Sequence, residues 1–248
     1  MGENKTAQTN SGQQPHIKNK TLTFPYGGYT MKLSKILTAS TVAAGLLFSS
    51  SAFSAAVNIT PDLEGITVKH GGKDVKIMRN QNEKNTVNPA FAKTSRKCPP
   101  FCIQPAVLAP GVDTIAEVEM IDYLKRMNDG DDSILVVDSR TPDWAAKGTI
   151  PGAVNIPWTK LNPAKGADPI SIGEIMEGSF GAKNLEGLWD YGDAKTLVMF
   201  CNGMWCGQSP NNIKNLLKFG YPAHKIKWYR GGMQDWEILG LSTAKAAE

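Results

Sequence analysis

The run Thr196-Leu197-Val198-Met199-Phe200 constrains this chain more than any other segment. It is apolar, of strand length and without polar alternation, which is the pattern of a strand covered on both faces. Cys201 follows at once, then Asn202-Gly203-Met204-Trp205-Cys206-Gly207. Ser209-Pro210 next predicts a helix cap and a first-turn proline, with Ile213, Leu216 and Leu217 at helical spacing. Gly220 and Pro222 end that helix. A thiol between a strand end and a helix N-terminus lies where backbone N–H groups and the helix dipole favour an anion. Such placement lowers a cysteine pKa from about 8.5 to roughly 3.5–7.5. A cysteine at a strand end is also commonly a small buried apolar residue. The function therefore has to be argued from the rest of the chain.

From Asp113 onward the pattern alternates between helix and strand. Thr114 with Glu117 three residues on has the form of a capping box, and Val118, Ile121 and Leu124 predict an apolar stripe stopped at Asn128-Asp129-Gly130. Ile134-Leu135-Val136-Val137 predicts a buried strand ending in Asp138. A short helix from Thr141-Pro142 through Trp144 follows, then a strand at Ala153 to Ile156. Beyond the Thr196 strand and the Pro210 helix come a strand at Ile226 to Tyr229 and a helix from about Met233 to Leu239. The stretch from Trp158 to Ala194 is rich in Gly and Pro and holds one helix around Ile172 to Met176. Such alternation implies an α/β layer fold with a mainly parallel sheet and helices on both faces. Ligands in these folds gather at the C-terminal strand ends, where Asp138 and Cys201 both fall.

The formal net charge of +4 belongs to the N-terminal region: residues 1–56 carry Lys5, Lys18, Lys20, Lys32 and Lys35 against Glu3, and the remainder balances. A neutral body without a basic run offers no electrostatic footprint for nucleic acid. Lys32 and Lys35, the apolar stretch from Ile36 to Phe48 and the small residues from Ser49 to Ala56 read as a signal peptide over 31–56. Its apolar core is too short for an ordinary membrane span. Residues 1–30 read as an upstream extension not native to the protein, with Met31 as the true start. The expectation is an exported, periplasmic or secreted protein with no stable membrane anchor after signal cleavage.

Residues 57–112 read as an N-terminal arm. Ile66-Thr67-Val68-Lys69 and Asp74-Val75-Lys76-Ile77 flank His70-Gly71-Gly72-Lys73, the signature of a small hairpin. Gln81 to Lys97 has little to bury and reads as a linker or loosely packed segment. Cys98-Pro99-Pro100-Phe101-Cys102 closes it. In an exported chain an even cysteine count makes Cys98 and Cys102 a candidate disulfide, provided Pro99-Pro100 opens a turn. An unpaired redox couple and a metal site are the alternatives, and no histidine lies nearby.

At residues 113–248 the chain resembles the rhodanese (thiosulfate sulfurtransferase) domain. Val137-Asp138-Ser139-Arg140 is similar to that family's Asp-x-Arg strand end, and Lys147 to Pro157 to its Gly-His-Ile-Pro-Gly-Ala-x-Asn-Ile-Pro signature. Cys201 stands where the family has its persulfide-forming cysteine, and Arg230-Gly231-Gly232 through Trp236 resembles its closing Gly-Gly-x-x-x-Trp. The resemblance implies transfer of sulfane sulfur from a donor such as thiosulfate, through a Cys201 persulfide, to a thiol or cyanide-like acceptor. It implies no cofactor and no metal. Asp138, Arg140 and Arg230 are the expected residues for loop support or anion binding, with a structural ion pair favoured for Arg140.

Three departures from the family pattern stand out. Asn202 and Met204 replace the loop's usual basic residue and glycine, so no basic side chain lies in the loop. Thr149 replaces a histidine, and Cys206 adds a second thiol inside the loop. Phosphatase relatives need an arginine where Gly207 stands. Two further functions stay open beside sulfur transfer: thiol–disulfide exchange through Cys201 and Cys206, and a non-catalytic rhodanese-like binding module.

Overall fold

The computed structural model describes residues 57–245; the expected upstream extension and signal segment lie outside them. Strands β1 (Gly65–His70) and β2 (Lys73–Met78) form an antiparallel hairpin. Its turn glycines, Gly71 and Gly72, both take positive φ, as a tight turn matching strand twist requires. The hairpin is not a free arm. Val68 and Ile77 are fully buried in one cluster with Met120, Leu124 and Trp236. His70 fastens the turn, accepting from the Gly152 N–H at 3.1 Å through Nδ1, with Nε2 2.6 Å from the Lys245 carbonyl.

The following elements are β3 (Asp113–Ile115), α1 (Glu117–Asn128), β4 (Ile134–Asp138), α2 (Pro142–Ala145), β5 (Val154–Asn155) and α3 (Pro169–Gly178). A small antiparallel pair, β6 (Lys183–Leu185) and β7 (Leu188–Asp190), precedes β8 (Thr196–Phe200), α4 (Gln208–Lys218), β9 (Ile226–Tyr229) and α5 (Gly232–Ile238). The main sheet has the order β3-β9-β8-β4-β5, with every pair parallel. One face packs Met120, Ile121, Leu124 and Trp236 with the hairpin, and the other packs Ile172, Met176, Ile213 and Leu216. The chain is thus an α/β fold with helices on both faces of a parallel sheet. The central strand β8 is buried at four of its five residues, which is why its sequence is a continuous apolar run.

Four local expectations shift. Thr114 does not cap α1 but lies in β3; the helix begins after Ala116, whose N–H donates to the Glu119 carboxylate at 3.1 Å. Val118 is exposed and Met120 takes its place in the buried stripe, because helical spacing alone does not fix which of two adjacent faces turns inward. Ser209 is not the cap of α4 either, since the helix starts at Gln208 with Gly207 before it. Its hydroxyl is used elsewhere. The segment 81–97, expected to be loosely packed, buries Phe91 in the core beside Trp236.

Candidate active site

Asp138, Phe200 and Tyr229 stand side by side across the sheet, so Ser139, Cys201 and Arg230 emerge at one edge. Several carbonyls of the loop 201–207 are held by hydrogen bonds, and the Cys206 carbonyl lies 3.5 Å from Cys201 Sγ. Cys201 O accepts from the Met233 N–H and Asn202 O from the Gln234 N–H, both at 2.9 Å, at the start of α5. Met204 O accepts from the Gln104 N–H at 2.8 Å, and Gly203 O from the Cys206 N–H at 2.8 Å. Only glycine fits at 232. With φ of 56°, a Cβ there would run into the Cys201 carbonyl and come within 2.9 Å of the Gly203 nitrogen.

The donors converge on the sulfur. The Ser209 hydroxyl donates to Cys201 Sγ at 3.1 Å and is itself held by the Trp228 indole N–H at 3.1 Å. Burial alone pushes the Cys201 thiol up, but hydrogen bonds from the Cys206 thiol, the Ser209 hydroxyl and the Ser209 and Gly203 N–H groups outweigh it. Together they bring the Cys201 pKa down from 9.0 to about 7. The position at the N-terminus of α4 acts in the same direction. Burial, the hydrogen bond to Cys201 and the negative charge there push Cys206 well above its ordinary value. Both sulfurs are free. Of the two sulfurs, Cys201 is therefore the one that ionises first.

Asp138 and Arg140 form a fully buried ion pair, with Nη2 to Oδ2 at 2.6 Å and Nε to Oδ1 at 2.9 Å. The guanidinium also donates to the Gly148 carbonyl, and the Thr149 hydroxyl donates to Asp138 at 2.7 Å. Arg140 thus ties strand β4 to the following loop and lies inside the protein, where it cannot receive an incoming anion. Thr149 completes this network. Arg230 donates to the Gln104 carbonyl at 2.8 Å through Nη2, so it too clamps the chain beside the loop.

A cavity of about 430 Å³ opens against the loop, walled by Trp144, Trp158 and Trp205, by Phe101 and Arg96 from the arm, and by Cys206. Cys206 is the sulfur that lines this wall; it and Cys201 are both almost fully buried. Cys98 and Cys102 have Cα atoms 4.6 Å apart with their sulfurs joined, and a Phe101 N–H to Lys97 O bond of 3.1 Å closes the turn between them. Phe101 stacks edge-on against Trp205 with centroids 5.6 Å apart, and the Arg96 guanidinium lies 3.8 Å over the Trp205 ring. The sequence singled out the loop, Asp138, Arg140 and Arg230. It missed Arg96 and the hydrogen bonds that join Trp228 to Ser209 and Ser209 to Cys201. Ser209 carries a signal, a hydroxyl in the first turn after the loop, where the sequence alone suggests a cap.

Strand order, strand-end cysteine and donor-rich loop define an α/β domain built to hold a cysteine thiolate. Residues 120–239 match the family model of the rhodanese-like domain. No curated protein matched the sequence significantly. Similar solved structures include a human single-domain sulfurtransferase, at 24% identity, covering 50% of this chain and 95% of that one, TM-score 0.31. A thiosulfate sulfurtransferase from Pseudomonas aeruginosa is 16% identical, covering 55% of this chain and 21% of that one, TM-score 0.36. A Bacillus halodurans protein is 18% identical, covering 50% and 70%, TM-score 0.35. These likenesses concern the fold alone.

Proposed function

We propose that this protein is an exported sulfurtransferase that carries sulfane sulfur on Cys201. The observation that carries the reading is the set of four donors aimed at a single buried sulfur, which favours its thiolate. In the reaction the Cys201 thiolate attacks the outer sulfur of thiosulfate. The S–S bond of the donor breaks, sulfite leaves with the electron pair, and Cys201 holds a persulfide anion. The same N–H and O–H groups can follow the negative charge onto the new terminal sulfur, as backbone nests hold anions. A thiophilic acceptor such as cyanide or a thiolate then attacks the terminal sulfur and releases the Cys201 thiolate. The signal-like segment over 31–56 and the joined Cys98 and Cys102 sulfurs support an oxidising compartment outside the cytoplasm. Steady-state transfer from thiosulfate to cyanide, read as thiocyanate, tests the reading. Turnover that survives Cys201→Ser overturns it.

A second reading, thiol–disulfide exchange, is favoured by one observation: Cys206 is a free thiol in the same loop as Cys201 and lines the cavity. In it the two thiols are oxidised to a disulfide while a partner disulfide is reduced. A redox titration that finds no reversible Cys201–Cys206 couple removes it.

A further inference from the structure

The cavity wall carries one cation, Arg96, and no carboxylate. Three buried polar atoms in it have no partner: two donors, Arg96 Nε and the Trp158 indole N–H, and one acceptor, Asn202 Oδ1. A buried donor without an acceptor is costly, at about 1–3 kcal/mol each, and two of them on one cavity mark the place of a missing acceptor. The surrounding potential has the same sign. Besides Arg96 on Trp205, Lys147 lies 4.3 Å over the ring of Trp144 and Lys165 5.7 Å over that of Trp158. Each tryptophan of the wall thus carries a cation. The remaining surface is largely apolar and aromatic, and the volume falls among cavities that enclose organic ligands, roughly 300–1,000 Å³. A bare inorganic anion would leave most of it unfilled.

We propose that Arg96 and Trp158 bind the oxyanion group of an organic sulfur compound whose apolar body lies against Trp144, Trp205 and Phe101. The arm, which lies outside the matched domain, thereby supplies the cation that the loop lacks. Its position is fixed by the Gln104 N–H to Met204 O bond, by Arg230 on Gln104 O, and by the Cys98–Cys102 link that closes the turn carrying Phe101. The inference rests on the sulfur-transfer reading for its chemistry. With an organic thiosulfonate the Cys201 thiolate attacks the sulfane sulfur, the bond between that sulfur and the sulfonyl sulfur breaks, and a sulfinate leaves with the electron pair. Arg96 and Trp158 would hold the sulfonyl oxygens throughout.

The test uses benzenethiosulfonate as donor and benzenesulfonate as an unreactive ligand. Two measurements are made on the wild type, Arg96→Gln and Trp158→Phe: donor-to-cyanide turnover, and calorimetric binding of benzenesulfonate to the Cys201→Ser background. The expected result is a kcat/KM for benzenethiosulfonate at least tenfold above that for thiosulfate. Arg96→Gln should raise KM for benzenethiosulfonate about tenfold while kcat changes little, and both variants should weaken benzenesulfonate binding. Trp158→Phe keeps an aromatic ring while removing the indole N–H, so its effect does not depend on whether Arg96→Gln packs well. Benzenesulfonate that fails to bind, or binds all three proteins equally, overturns the proposal even if thiosulfate turns over. Binding that depends on Arg96 and Trp158 without turnover of any donor upholds the anion site and overturns the sulfur-transfer reading instead.

Discussion

The Ser209 hydroxyl lies 3.1 Å from the Cys201 sulfur and points its hydrogen at it, because the Trp228 indole occupies the other side of the oxygen. A donor fixed in this way stabilises the thiolate and not the thiol. Removing it must therefore raise the Cys201 pKa. In Ser209→Ala the pH midpoint of Cys201 alkylation should move from near 7 to higher pH by about one to two units, given roughly 1.5–3 kcal/mol for a hydrogen bond to a charged group. Reactivity at pH 6–7 falls accordingly and recovers as the solution is made alkaline. A midpoint unchanged in the variant would mean that the hydroxyl is only a packing element.

Cys206 enters the chemistry in a different way. Its thiol can attack the inner sulfur of a Cys201 persulfide, forming a Cys201–Cys206 disulfide and releasing hydrosulfide with the electron pair of the broken bond. The Cys206→Ala protein should thus hold its persulfide several-fold longer in the absence of acceptor, seen as slower sulfide release after loading. Loss of the Cys206 donor should also raise the Cys201 pKa. Equal sulfide release from both proteins would take Cys206 out of the sulfur chemistry.

Arg140 makes a stability prediction. In Arg140→Met the Asp138 carboxylate stays buried and loses its ion-pair partner, which costs about 3–5 kcal/mol. For a domain of this size that lowers Tm by about 10 °C, measured by thermal unfolding. A loss confined to activity, with Tm unchanged, would place the guanidinium at the substrate after all.

Gly232 ties the start of α5 to the loop. Gly232→Ala forces a side chain into a φ of 56°, costing about 1–2 kcal/mol, and drives Cβ against the Cys201 carbonyl. The loop must shift, so Cys201 alkylation at pH 7 should slow at least tenfold while far-ultraviolet circular dichroism is retained. Wild-type reactivity in this variant would contradict the loop geometry.

How far the sequence could lead depended on the kind of interaction involved. Strand β8 and the position of Cys201 were legible because a strand buried on both faces leaves an uninterrupted apolar run and ends where polarity returns. Strand β3 left no such trace: it has three residues, of which Asp113 and Thr114 are exposed, and its identity comes from pairing with β9. Ser209 was readable as a residue suited to a helix start, but the direction of its hydroxyl depends on Trp228, which another strand supplies. Arg96 was invisible for a related reason. A basic residue in a polar segment gains meaning only when folding stacks it on Trp205 beside a cavity. Of the arginines expected for loop support or anion binding, Arg140 forms the structural ion pair favoured for it and Arg230 clamps Gln104, so both are consumed by partners within the protein.

The central claim is that Cys201 carries sulfur, and mass spectrometry of the Cys201 peptide before and after exposure to thiosulfate tests it most directly. The account predicts a gain of one sulfur atom on that peptide, removed by cyanide with stoichiometric thiocyanate and absent in Cys201→Ser. An unmodified Cys201 peptide, or one recovered only as a disulfide with Cys206 and no thiocyanate, would contradict it.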